Sequence, residues 1–217
     1  MQIFLFIYSK LLFCMIKSWC NEVILVKLLY VTNSEKKVKE LKEIFKKHVD
    51  VMTIDSLFDL EYDVNISIYS KDLEQNAYKK AHNVWKKEKD NYDYVIADEY
   101  GLFSDYAPNI LGVESETWWP GTQRDRSEAL VNLFNGIKER EIYYKSVFVA
   151  IDKNGASKVS EGYMYGYLAK KVKERNGEGY DSVFITDDGK YLSHHEPQEI
   201  IKLSARTEAL EKLAEKL

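Results

Sequence analysis

Two adjacent carboxylates, Asp98 and Glu99, stand in the stretch Val95-Ile96-Ala97-Asp98-Glu99-Tyr100-Gly101-Leu102-Phe103-Ser104-Asp105, between one apolar run and a second, shorter one. A carboxylate pair can hold a divalent cation or deprotonate a water. Val95, Ile96 and Ala97 suit a buried strand, and Gly101 suits a backbone that turns sharply or lets a ligand come close, so the stretch reads as strand, acidic turn, strand. Acids at a strand end of an α/β sheet lie where ligands usually bind. The same two side chains could equally do no more than solvate a hairpin.

A second group of residues carries the opposite charge. Ser34 is a good N-cap for a helix beginning at Glu35, and the free N–H groups of that helix, with Lys37 one turn in, make an anion site; an ordinary capped surface helix with solvated lysines is the plainer reading. Asn76 and Lys80 interrupt the apolar face of a later helix, where a lysine at the helix edge can also simply snorkel.

The elements that must position these groups follow from periodicity. Val23 to Val31 is a β-rich apolar run, Thr32-Asn33-Ser34 stops it, and Glu35 to Lys47 resumes with Val38, Leu41, Ile44 and Phe45 at helical spacing. A short strand with Val49, Val51 and Ile54 comes next, then an extended or looped stretch, then a helix from Asp72 to Lys89 that leads into the acidic stretch. This order predicts an α/β chain and excludes an all-β one. Further on, Trp118-Trp119-Pro120-Gly121 reads as an exposed loop, Arg126 to Arg140 as a helix, and Tyr143 to Asp152 as a strand that meets Asn154-Gly155, the pair typical of a two-residue hairpin turn. Val159 to Ala169 returns, Gly177-Glu178-Gly179-Tyr180-Asp181 is a tight turn into a strand at 182–186, and one helix runs from Pro197 to Leu217.

Composition bounds the function. The chain has 217 residues, 45% of them hydrophobic, enough for one sizeable core. Its 31 basic and 35 acidic residues are spread throughout, so no face is built to track a nucleic-acid backbone. Cys14 and Cys20 match no zinc spacing, and a reducing cytosol is the expected home. Residues 1–27 differ from the rest. Ile3 to Ile16 is too short and too interrupted for a spanning helix, and no basic n-region or small-x-small cleavage site precedes Val23. An upstream-placed start, with Met15 or a nearby codon as the real beginning, an accessory helix, or a secretion signal are the readings left open. The domain proper is expected over 28–217, with no membrane partner.

In this order the motifs resemble the inosine triphosphate pyrophosphatase family, whose members hydrolyse non-standard purine nucleoside triphosphates to monophosphate and pyrophosphate. Its T-G-N-x-x-K-x-x-E-L is similar to the segment from Thr32 to Leu41, with Asn33 and Ser34 where Gly and Asn are usual. Its E-N-A-x-x-K-A is similar to Gln75-Asn76-Ala77-Tyr78-Lys79-Lys80-Ala81, and its A-D-D-S-G-L to Ala97-Asp98-Glu99-Tyr100-Gly101-Leu102. Its P-G-x-x-S-A-R falls on Leu111-Gly112-Val113-Glu114-Ser115-Glu116-Thr117, its G-F-G-Y-D-P-x-F on 177–184, and its S-H-R on Ser204-Ala205-Arg206. The likeness runs from about Lys27 to Leu217.

The resemblance implies a long, twisted mixed sheet flanked by helices, bilobed around a central cleft, and a homodimer; the Trp118-Trp119 pair is the sequence's own hint of an interface. It implies that Thr32, Ser34, Lys37 and Lys80 line the triphosphate, that Asn76 and Gly101 also belong to the substrate site, that Glu61 and Asp98 bind Mg²⁺, that Glu99 works on the attacking water with Asp98 as the other catalytic acid, and that Glu178, Tyr180, Asp181, Ser204 and Arg206 lie toward base and sugar. The departures gather at the base pocket: Glu178 stands for a stacking Phe, Ile200 for a Lys and Ala205 for a His. Retained hydrolysis with an altered base choice is therefore expected, favouring an amino-bearing or modified base over ITP and XTP because an ionised Glu178 accepts hydrogen bonds but donates none. The runner-up is a nucleotide-binding protein that has lost catalysis.

Overall fold

The acidic stretch does not turn. In the computed structural model, which describes residues 26–47, 52–57, 70–108 and 110–217, it is the middle of a single ten-residue strand, β3 (Tyr94–Phe103). This strand pairs antiparallel with β4 (Glu141–Asp152) along its whole length, Asp98 opposite Phe148 and Glu99 opposite Val147. An unbroken ladder satisfies every backbone group in a way that a mid-strand turn would forfeit. Gly101 is needed for a different close approach. A Cβ there would overlap the carbonyl oxygen of Gly112, whose N–H donates to Leu102 at 2.6 Å, so the 104–122 loop crosses directly over the strand.

Around β3 the sheet is mixed, in the order β2-β1-β3-β4-β5-β6. β1 (Val26–Tyr30) runs parallel to both β2 (Met52–Ser56) and β3, and β5 (Ser157–Leu168) and β6 (Phe184–Ile185) continue antiparallel beyond β4. Helix α1 (Glu35–Phe45) connects β1 to β2, and α2 (Leu73–Glu88) precedes β3. The expected α/β architecture, a mixed sheet with helices on its flanks, is borne out. The expected strand at Val49 and Val51 begins at Met52, and those two residues lie outside the described ones, as do Glu61 and residues 1–25.

Strand periodicity sorts the core. Leu28, Tyr30, Ile96, Phe148 and Ala150 pack on one face against Leu41 and Phe45 of α1 and Leu210 and Leu213 of a C-terminal helix. Leu29, Val95, Ala97, Val149 and Ile151 pack on the other face against Ala77, Ala81 and Val84 of α2. Because successive side chains of a strand point to opposite faces, Asp98 and Glu99 cannot act side by side. Asp98 belongs to the α1 face and Glu99 to the α2 face.

Three further expectations are corrected. The β4–β5 turn is a three-residue loop in which Asp152 N–H donates to Ala156 O at 2.9 Å and Gly155 takes φ +88°, the geometry of a type I turn closed by a left-handed residue. The helix expected over 126–140 is α3 (Gln123–Leu133): Thr122 and Asp125 form a capping box at its start, and Gly136 at φ +80° follows its end. The single C-terminal helix is two, α4 (Pro197–Leu203) and α5 (Ala205–Ala214), divided at Ser204. Ser204 is extended (φ −67°, ψ 142°), and its Oγ accepts from Thr207 N–H at 3.1 Å, an N-cap that stops one helix by starting another.

Candidate active site

β1 ends at Tyr30, paired with Ile96, while β3 continues, so beyond this point the edge of β3 faces the turn 31–34 and the start of α1. There Thr32 Oγ1 accepts from Ser34 N–H at 3.2 Å and Ser34 Oγ accepts from Lys37 N–H at 3.4 Å, which leads Lys37 back over the strand. Its Nζ reaches Asp98 Oδ2 at 2.8 Å, and the Tyr30 hydroxyl donates to Asp98 Oδ1 at 2.7 Å. Arg206, in the first turn of α5, donates from Nη1 to Glu40 at 2.9 Å and holds Nε 4.0 Å from Asp98. Burial by itself would push the Asp98 carboxyl up, but Lys37 and Arg206 outweigh it and hold the group down at about 2. Burial likewise works against the Arg206 charge, and Asp98 and Glu40 more than reverse that. Thr32, Ser34, Lys37, Asp98 and Arg206 are thus one assembly, joined by Tyr30 and Glu40.

On the opposite face Lys80 of α2 forms an ion pair with Glu99 and also reaches the Asp98 carbonyl oxygen at 3.4 Å. Glu99 retains 15% exposure where Asp98 retains 2%. Asn76 is fully buried, and both ends of its amide bond the Ser70 backbone, accepting at 3.2 Å and donating at 2.9 Å. It braces the approach to α2.

A cavity of about 140 Å³ opens beside the Asp98 assembly. Tyr100, Tyr144 and Ser146, which alternate on β3 and β4, form its floor with Met164 of β5, and Ser204 to Arg206 close one side. Lys37 Nζ and the Arg206 guanidinium each sit 5.5 Å from the Tyr100 ring centroid, within reach of a cation–π contact. Burial, with a smaller push from Glu116, raises the Tyr100 hydroxyl to about 12.

The turn 177–181 forms the facing wall. Asp181 Oδ2 accepts from Glu178 N–H at 2.8 Å, and Gly177 (φ +86°) has no room for a Cβ because that carboxylate folds back over it. Burial pushes the Asp181 carboxyl up to about 6, although Glu178 N–H and the Tyr144 hydroxyl, 3.3 Å away, favour its charge. Glu178 sits at the mouth, 77% exposed and paired with Lys36 at 3.1 Å, so its carboxylate faces water rather than the interior. Tyr180, expected to face the base, does not line the cavity. Its ring is fully buried, its hydroxyl donates to Ser115 O, and Trp118 Nε1 donates to that hydroxyl at 2.7 Å. Trp118 is therefore internal packing, and Trp119, 46% exposed, is the outward member of the pair.

Sequence reading missed Tyr30, Glu40, Tyr144, Ser146 and Glu116. Glu116 carried a signal, since it stands where the resembled P-G-x-x-S-A-R has its alanine; Tyr144 and Ser146 look like ordinary strand residues until register sets them beside Tyr100.

For a divalent cation, expected on Asp98, both Asp98 oxygens are already bonded, to Tyr30 and Lys37, and the group is sealed from solvent. Among the described residues no three His, Cys, Asp or Glu side chains gather into a metal cage. Mg²⁺ needs no such cage, because it keeps several waters and takes one or two carboxylates together with phosphate oxygens. Glu99 fits that description, being accessible and partnered by the flexible end of one lysine.

The family model described as the Ham1 family matches residues 28–216. The chain belongs to the Ham1 family. A dITP/XTP pyrophosphatase of Caldanaerobacter subterraneus subsp. tengcongensis is 32% identical over 197 residues, covering 88% of this chain and 96% of the relative. The structure of the Staphylococcus aureus Ham1 protein superposes with a TM-score of 0.79 at 21% identity, covering 88% of this chain and 97% of that one. A nucleoside-triphosphatase / dITP/XTP pyrophosphatase from Mycobacterium abscessus gives 0.72 at 26% identity, covering 87% and 97%. The resemblance drawn from the motifs is thereby borne out, and the Ham1 fold accounts for the mixed sheet described above.

Proposed function

We propose that this protein is a Mg²⁺-dependent nucleoside triphosphate pyrophosphohydrolase that cleaves a non-standard or modified purine NTP or dNTP to the monophosphate and pyrophosphate. The observation that carries this reading is the clustering of Lys37 and Arg206 with a helix N-terminus at the end of β1, beside a cavity that Arg206 lines, while Lys80 reaches the same strand from its other face. Cationic ends and N–H groups neutralise and orient phosphates, and the cavity takes a planar part of the same molecule. Ham1 relatives named as dITP/XTP pyrophosphatases support the reaction class.

In this reading Thr32, Ser34, Lys37 and Lys80 hold the phosphates. Asp98 holds Lys37 and Arg206 in place. Glu99 orients the attacking water and accepts its hydrogen bond. Water adds to the α-phosphorus and passes a proton to Glu99, the bond from that phosphorus to the α–β bridging oxygen breaks, and pyrophosphate leaves with the bridging oxygen. Mg²⁺, held by Glu99 and phosphate oxygens with Glu61 as a further expected ligand, would supply charge neutralisation. Positioning and electrostatics account for most of the rate such a site can provide. The reading includes a cytoplasmic homodimer; among the described residues no helix is long and apolar enough to cross a membrane.

The test is product identity. With Mg²⁺ and a nucleotide panel, pyrophosphate should appear together with monophosphate, and orthophosphate alone would remove the assignment. The Lys80–Glu99 ion pair favours a second reading, a binder that has lost catalysis, because a carboxylate held by lysine is less free to work on water. Calorimetric binding without turnover of any nucleotide would select that reading.

A further inference from the structure

The cavity beside Tyr100 is smaller than the roughly 300 Å³ of a pocket that encloses a drug-sized ligand, so at about 140 Å³ it accepts a ring system and leaves phosphates outside. Tyr100, Tyr144, Met164, Leu192 and Ile200 give it apolar and aromatic walls between charged and polar groups. Polar groups without partners stand out against that lining.

Ser146 is 1% exposed, and its Oγ bonds nothing among the described residues. A buried hydroxyl without a partner is uncommon and calls for an explanation such as a bound group. Glu116 is half-buried, makes no ion pair or hydrogen bond among the described residues, and lies beside Gly179, with Oε1 3.7 Å from where a Cβ on that glycine would sit. Asp181 adds a second carboxylate, which retains unused acceptor capacity beyond the Glu178 and Tyr144 contacts. The cations nearby are largely engaged, Lys36 with Glu178 at the mouth, Lys145 with Glu161, Arg126 with Gly121 O and Gln123, and Arg206 with Glu40, while the buried Nε atoms of Arg126 and Arg206 have no hydrogen-bond partner among the described residues.

The interior thus presents the carboxylates of Glu116 and Asp181, both with spare acceptor capacity, to a ring that enters it. We propose that Glu116 is the specificity-determining residue of this cavity and that it accepts hydrogen bonds from an exocyclic amino group of the nucleobase, with Asp181 as a second acceptor and Ser146 Oγ bonded to a ring nitrogen or oxygen. This rests on the nucleotide-hydrolase reading and moves the base-reading role from the solvent-facing Glu178 to a carboxylate that faces inward. Burial, only partly offset by Arg126, raises the Glu116 carboxyl from its ordinary value, because its charged form lacks a bonded partner there. Hypoxanthine offers one ring N–H on its pairing edge, whereas a 2- or 6-amino purine supplies additional N–H donors. A base lacking them leaves buried carboxylate oxygens unpaired, a mismatch that discriminates strongly.

The experiment compares ITP with GTP, ATP and 2,6-diaminopurine riboside triphosphate, which differ from ITP at the amino positions, using wild type, Glu116→Ala and Glu116→Gln. The wild type should favour at least one amino-bearing nucleotide over ITP by about 10-fold or more in kcat/KM, and Glu116→Ala should erase most of that ratio. Glu116→Gln, which keeps the size and loses the anion, should retain the Tm and lose much of the ratio. A wild type that prefers ITP, or a ratio unchanged in both variants, overturns the proposal. Calorimetric titration of the corresponding monophosphates reads the same preference without chemistry. Absence of pyrophosphate from every nucleotide would therefore remove the hydrolase reading, while the order of monophosphate affinities still decides the role of Glu116.

Discussion

Asp98 and Glu99 are neighbours in sequence, carry the same charge and share one strand, yet their surroundings are nearly opposite. Asp98 is sealed under α1 and α5 with both oxygens bonded and two cations beside it. Glu99 faces α2 with partial solvent access and one lysine for company. A sealed carboxylate with both oxygens bonded holds its neighbours still, and one that meets solvent can be put to work on a ligand. The pair divides these tasks because the strand sends consecutive side chains to different faces.

The comparison breaks most visibly at Asp98. Asp98→Asn leaves the Arg206 and Lys37 charges short of a buried counter-charge, and removing one partner of a buried ion pair typically costs about 3–5 kcal/mol. Urea denaturation should register a loss of that order, and a variant as stable as wild type would show that the assembly around Asp98 is not a structural anchor. Glu99→Gln should do the converse. Its unfolding free energy should fall by about 1 kcal/mol or less, the scale of one partly exposed ion pair, while turnover falls on the order of 10²-fold at nearly unchanged nucleotide binding. Parallel losses in both quantities would erase the distinction between the two acids.

The smallest effect is in pH dependence, where Asp98 and Asp181 should act with opposite sign. Asp98 sits at about 2 in the folded chain, below its unfolded value near 4, so its contribution is present above pH 4 and is lost as pH falls toward 2. Asp181 sits at about 6, above its unfolded value, so between pH 4 and 6 the native state binds more protons and stability falls as pH rises. Discounted for its partial exposure, that decline is about 2 kcal/mol. Asp181→Asn should flatten the stability curve from pH 4 to 7 in chemical denaturation, and an unchanged slope would show that the group is not held protonated by its surroundings.

Much of this arrangement is legible in the residues. Apolar runs and helical spacing located β1, α1, α2, β3, β4 and β5, and the polar turn at Thr32 to Ser34 with Lys37 one turn later marked a phosphate-like site. The acidic stretch misled because Asp-Glu followed by Gly imitates a turn; the partner strand keeps it straight, and strand pairing is set by register that local composition does not encode. Ser204 hid a helix break because α4 and α5 share an apolar character across it. The cavity was the least legible part. Its floor unites Tyr100 with Tyr144 and Ser146, more than forty positions later, and its inward carboxylate comes from a loop held down by the Gly112 to Leu102 bond. Tyr180 looked like a ligand contact because it lies in a glycine-bracketed turn; its ring instead fills the core below that turn.

Gly162 on β5 faces the start of α5 with no space for a Cβ, which would meet the Ala205 carbonyl oxygen and the Ala209 nitrogen. The helix therefore rests on bare strand backbone, as a beam rests on a bearing surface. Its distance from the sheet is fixed by main-chain atoms that cannot change rotamer, and Arg206, projecting one residue beyond Ala205, inherits that fixed height. The guanidinium between Glu40, Asp98 and the cavity is placed by the least deformable contact available to a helix on a sheet, so the calibration of the charged site begins at a residue that has no side chain.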